Sequence, residues 1–131
     1  MNEPKIGQIA RREITVTKDM LAVNVGSGSV EVFATPMVAA IMEGAASDLA
    51  QNFLEDIYTT VGTKITVEHL CATAEGVNVY AEAELTKIDG RKYSFSLKVF
   101  DNKGLIATGE HERVCVKKES FLNKANERKN S

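Results

Sequence analysis

Between Met37 and Ala46 the chain reads MVAAIMEGAA, apolar apart from Gly44 and a single charge, Glu43. A carboxylate in an apolar setting is costly unless it is paired, hydrogen-bonded or protonated, so Glu43 should be buried with a definite partner. A second group of this kind is His69. In KITVEHLCA it shares one face of a period-two segment with Ile65, Val67 and Cys71, and so points inward. A lone histidine on an apolar face is more often a satisfied core residue than a catalyst. Beside an inward carboxylate it becomes raw material for general acid–base chemistry, since imidazole titrates at about 6.5. Thr35, in ATP, offers a hydroxyl at a helix start. Arg113 shares a strand face with His111 and Cys115, and is either a surface charge or a partner for Glu43. The stretch VGSGSV lacks the third glycine of a phosphate loop and reads as a plain loop. The two histidines and two cysteines show no metal-ligand spacing.

The elements that must position these groups follow from periodicity. Residues 8–17 suggest a first strand, 18–29 a loop, and Val30 to Phe33 a short extended piece. Thr35 is placed to N-cap a helix with Pro36 in its first position. That helix is expected from about 37 to 55, apolar on most sides through its first three turns. After it the period falls to two. TKITVEHLCATA, GVNVYAEAELTKI, RKYSFSLKVF and LIATGEHERVCVKK read as four strands, joined by short turns at AEG, IDGR and DNKG. They predict an antiparallel meander wrapped around one long central helix, an α+β domain of about five or six strands. Residues 119–131 are polar and are expected to be a tail or a short helix.

Composition narrows the function classes. At 131 residues the chain is expected to be one domain, with enough length for a core without staples. A formal net charge of −2 argues against a nucleic-acid partner. No apolar run approaches a membrane span, and the amino terminus has no signal-peptide h-region, so a cytoplasmic protein is expected. Cys71 and Cys115 are then expected to be free thiols.

Taken together, ATP, Glu43 eight residues after Thr35, VGTKITVEH with Gly62 and His69, and Arg113 in GEHERVCV resemble the hotdog-fold thioesterases. More narrowly, they resemble the fluoroacetyl-CoA thioesterase-like family. The resemblance spans about residues 8 to 117. It implies a catalytic set of Thr35, Glu43 and His69, a thioester-carbonyl contact near Gly62, and a supporting role for Arg113. It also implies an acyl-CoA substrate hydrolysed to acid and CoA, no cofactor beyond the CoA of the substrate, and a homodimer or tetramer with sites at the subunit interface. The fluoroacetyl-specific enzyme carries an aromatic gate ahead of its threonine. Here that region reads AVNVGSGSV, with no aromatic residue until Phe33, so fluoroacyl selectivity is not expected. Rival readings are a hotdog hydratase or dehydratase, whose Asp–His motif is not found, a non-catalytic acyl-CoA-binding module, and a structural protein with a buried Glu43–Arg113 pair. One difficulty is geometric. Eight residues of helix span about 12 Å, so a capping Thr35 cannot reach Glu43 along one ideal helix.

Overall fold

The computed structural model describes residues 3–130. Strand β1 covers Ile9–Thr15. A single 3-10 turn, Lys18–Met20, and a one-turn helix α1, Ala22–Val25, follow where a loop was expected. The main helix α2 is Thr35–Gln51. Strands β2 (Tyr58–His69), β3 (Asn78–Asp89), β4 (Lys92–Asp101) and β5 (Gly104–Lys117) come next, then helix α3, Lys118–Lys129. The extended piece at Val30–Phe33 is reduced to one bridge, Leu21 to Phe33.

The five strands form one sheet in the order β1-β3-β4-β5-β2, with every pair antiparallel. Strands β3, β4 and β5 are the expected meander. Strand β2 is not part of it: it pairs with β5 at the far edge, and AEG lies in a crossover to β3 instead of a hairpin. Alternation within a strand sets which side chains face inward, but not which strand lies next door. That is decided by the long-range pairing of β2 with β5.

The inward faces are those the periodicity predicts. Val79, Ala81, Ala83 and Leu85 of β3 and Tyr93, Phe95, Leu97 and Val99 of β4 are buried against Val38, Ile41, Met42, Ala45 and Leu49 of α2. Each fully buried large aliphatic or aromatic side chain here contributes about 1.5–3 kcal/mol relative to exposure. α2 packs on β1, β2, β3 and β4. Arg12 of β1 reaches over α2, bonding Asp48 with Nε at 3.1 Å and Nη2 at 2.9 Å. Its guanidinium lies over Gly44, where a Cβ would sit 2.1 Å from Nη1 and push that exposed side chain aside.

The helix differs from expectation at both ends. It stops at Gln51 rather than 55, because Gln51 turns to β2: its Nε2 donates to the Tyr58 carbonyl and its Oε1 accepts from Thr59 Oγ1. It starts at Thr35 itself, with Ala34 in the capping position and no side-chain cap. The polar tail is helical as α3. No helix among the described residues is long and apolar enough to cross a membrane.

Candidate active site

Thr35 is the first residue of α2, and its hydroxyl does not cap the helix. Instead Oγ1 lies 2.8 Å from Nδ1 of His69, the last residue of β2. Strand alternation turns His69 toward α2, as expected. The ring's other nitrogen, Nε2, is buried and has no hydrogen-bond partner among the described residues. Burial lowers the His69 pKa below the usual imidazole range, and a weaker pull from the Cys71 backbone raises it. Burial thus favours the neutral ring, with a hydroxyl on one nitrogen and the other nitrogen enclosed. The pair opens on a cavity of about 250 Å³, lined also by Phe33, Ala34, Leu70 and Cys71.

Glu43 lies elsewhere. Its carboxylate is 43% exposed, so the expectation of a buried charge is corrected. The run around it is apolar because the neighbouring positions face the sheet, while Glu43 itself faces the rim of β2. Its Oε2 sits 3.9 Å from Arg113 Nη1. It also lies over Gly62, where a Cβ would be only 2.8 Å from that oxygen. Glycine is needed at 62 for this close approach. A bulge between Gly62 and Lys64 marks the place, with Thr63 as the extra residue.

Arg113 is buried, which settles it as an inward residue and not a surface charge. Its Nε donates to Thr60 Oγ1 at 2.7 Å, its Nη2 to the Thr60 carbonyl at 2.8 Å, and its Nη1 to His111 Nε2 at 3.1 Å. Thr60 and His111 are buried with it. Neither was singled out from sequence. The available signal was the alternation of His111, Arg113 and Cys115 on the inner face of β5.

The five residues thus form two groups. Thr35 and His69 meet at one end of β2, while Glu43, Gly62 and Arg113 meet near the other. Seven residues of strand separate Gly62 from His69, roughly 20 Å. Eight residues of helix separate Thr35 from Glu43, about 12 Å. One chain does not bring the expected Thr–Glu–His set together. A larger cavity of about 520 Å³ over β2, β4 and β5 is lined by His111 together with Lys64, Thr66, Ser94, Ser96 and Glu112 and touches none of the five. Both nitrogens of His111 are already bonded, to the Lys64 carbonyl and to Arg113, whereas His69 holds a hydroxyl, so the smaller cavity is the better seat for chemistry. No three His, Cys, Asp or Glu side chains among the described residues gather as a metal site requires.

One long apolar helix laid on an antiparallel sheet is the hotdog fold, and the chain falls in the thioesterase class of that fold. Residues 16–119 match the family described as fluoroacetyl-CoA-specific thioesterase, and the chain belongs to that family. The fluoroacetyl-CoA thioesterase of Streptantibioticus cattleyicolor is 36% identical over 91 residues, which is 70% of this chain and 66% of that enzyme, just under two thirds of its length. A crystal structure of a point mutant of the fluoroacetyl-CoA-specific thioesterase FlK superposes with a TM-score of 0.91 at 27% identity, over 98% of this chain and 99% of that one. A thioesterase superfamily member from Thermus thermophilus superposes with a TM-score of 0.88 at 27% identity, over 99% and 98% of the two chains.

Proposed function

We propose that this protein hydrolyses a short acyl-CoA thioester to the carboxylic acid and CoA, at a site completed by a second copy of the chain. The observation that carries the reading is the 2.8 Å contact between a hydroxyl and a neutral, partly buried imidazole at the mouth of a cavity. Such a pair is a nucleophile with its base. His69 Nδ1 takes the proton of Thr35 as Oγ1 attacks the thioester carbonyl. Main-chain N–H groups beside Gly62 receive the oxyanion; one such donor is worth about 3–4 kcal/mol. The C–S bond then breaks, and the CoA thiolate takes the proton back from the imidazolium. Water, deprotonated by the same ring, releases the acid from Thr35. CoA enters as part of the substrate, and the cycle uses no other cofactor.

Three features support a dimeric site. β2 is an edge strand of 12 residues with an open outer side. Such an edge readily pairs with another copy. For two β2 strands paired antiparallel about a two-fold axis through Thr66, with Thr63 as the bulged residue, Gly62 lies opposite His69 of the partner subunit. Both residues face the helix side. In that register the half-exposed Glu43 carboxylate lies beside the partner's imidazole; Nε2 of that ring is enclosed in its own chain, so the ring turns toward the interface to meet it. Thr35 and His69 of one subunit and Glu43 and Gly62 of the other then make one site. Glu43 accepts from Nε2–H, fixes the tautomer that leaves Nδ1 basic, and steadies the imidazolium. The 12 Å separation within a chain is no longer an obstacle.

The acyl group is short and not specifically fluorinated. Between Ala22 and Val32 no aromatic side chain is present, and Phe33 is fully buried in the core while lining the cavity. The first test is thiol release from acetyl-, propionyl-, butyryl- and fluoroacetyl-CoA. Turnover of the unfluorinated esters that collapses in His69→Ala is expected; no turnover, with saturable CoA binding, would leave only a binding module. The composite site is tested by mixing two inactive variants, His69→Ala and Glu43→Gln. Random reassortment gives half the dimers one intact site, so about a quarter of the wild-type activity should return. No recovery on subunit exchange would place all three residues in one chain's site.

A further inference from the structure

His111 is the most buried titratable side chain near the Glu43 group, at 2% exposure, and the reaction above does not use it. Both of its ring nitrogens are engaged. Nδ1 is 2.7 Å from the Lys64 carbonyl, which can only accept, so Nδ1 carries the hydrogen. Nε2 is 3.1 Å from Arg113 Nη1, which can only donate, so Nε2 is a lone pair. The two partners permit one state, the neutral Nδ1–H ring.

Each bond reaches a different part of the Glu43 group. Lys64 closes the bulge that begins at Gly62, so the bond to its carbonyl pins the far side of that bulge. The bond to Nη1 orients the guanidinium nitrogen that lies nearest Glu43. A Cβ on Gly62 would lie 3.0 Å from His111 Cε1, so the ring is also the wall against which the Gly62 backbone rests.

We infer that His111 is a positioning residue of the hydrolytic site: as a neutral ring it sets the Gly62 bulge and the Arg113 guanidinium together, and through them the place of Glu43. The inference rests on the reading that Glu43 and Gly62 serve catalysis. The groups facing the ring are consistent with a neutral state. Arg113 of β5 and Glu43 of α2 are the charges, β2 presents the Lys64 carbonyl, and β4 presents the Phe95 ring at 6.2 Å between centroids. Burial holds the His111 pKa below the usual range, opposed by the Lys64 carbonyl and aided by Arg113. A proton on Nε2 would set two donors against each other and turn Arg113 away.

The test uses three variants of the full chain with the best acyl-CoA substrate. His111→Phe keeps the ring shape and loses both bonds; kcat is expected to fall about 100-fold with KM little changed, the scale of a small misplacement of catalytic groups. His111→Gln keeps an acceptor for Nη1 and should recover to within about tenfold of wild type, one hydrogen bond's worth. Should His111→Phe fail to fold, His111→Asn carries the test, since its amide can donate to Lys64 from the Nδ1 position but is too short to put an acceptor where Nε2 meets Arg113; it should lose kcat as His111→Phe would. Nitrogen-15 NMR of labelled histidine should show the Nδ1–H tautomer at pH 7. A folded His111→Phe or His111→Asn with wild-type kcat would overturn the inference, as would an Nε2–H or cationic ring at pH 7. Glu43→Gln, run alongside, separates the two readings: full activity there removes the catalytic reading itself, whatever the His111 variants do.

Discussion

The two ends of β2 are built differently. At His69 the chain makes one functional contact, to an exposed Thr35, and leaves a buried ring nitrogen unbonded. Near Gly62 almost every polar atom is committed: Arg113 makes three hydrogen bonds, and His111 uses both nitrogens. On the proposed mechanism the first end is the reacting one, which must exchange protons. The second is over-determined, as befits groups that hold a carboxylate and a backbone bulge in place. Of that second group, Glu43 reaches toward solvent, and on the proposed mechanism it completes the first end of a partner subunit.

That contrast can be broken by substitution. His69→Ala should lower kcat by roughly 10³-fold while leaving the unfolding midpoint nearly unchanged, because only one hydrogen bond is lost. A large loss of stability there, seen in urea titration, would make His69 a core residue and erase the difference between the ends. Arg113→Met should behave in the opposite way. It removes the charge but leaves Thr60 and His111 without their donor, so unfolding free energy should fall by about 2–3 kcal/mol in the same titration. Gly62→Ala sits between the two. The added Cβ would displace the half-exposed Glu43 carboxylate and press on the buried His111 ring at 3.0 Å, so stability should fall by about 1 kcal/mol while kcat drops about tenfold.

A milder probe is pH. His69 and His111 both have folded pKa values below the ordinary 6.5, each chiefly because burial disfavours the cation. As pH falls below 6.5 the unfolded chain gains protons that the folded chain refuses. Stability is therefore fully present above 6.5 and declines as pH drops through the folded values. The kcat/KM profile should fall on the same acid side, since His69 must be neutral to act as base. Denaturation midpoints and rates measured from pH 5 to 8 check both signs. The stability slope should shrink in His111→Gln if the variant folds, because one of the two refusing groups is gone.

Much of this was legible in the sequence, and for one reason: side-chain facing is a local property. Period-two alternation is enough to turn His69, Phe95 and Leu97 inward, and an apolar run interrupted by a single charge, with Pro36 at its start, is enough for α2. Those signals depend on neighbours two to four residues away. They name the strand residues that point at the helix, His69 among the expected site residues, and they place Gly62 on the same strand as His69.

What only the tertiary structure decided depends on residues far apart in the chain. The edge position of β2, beside β5 and not β3, follows from a long-range ladder that no local pattern encodes. Because of it, β2 keeps an open side and carries both functional groups along one free edge. The exposure of Glu43 could not be read from its apolar neighbours, since one rotation of 100° on a helix takes a side chain from the core to the rim. The Thr35 hydroxyl was free to cap its helix or to meet His69, and only the approach of β2 to the start of α2 settled that in favour of the imidazole.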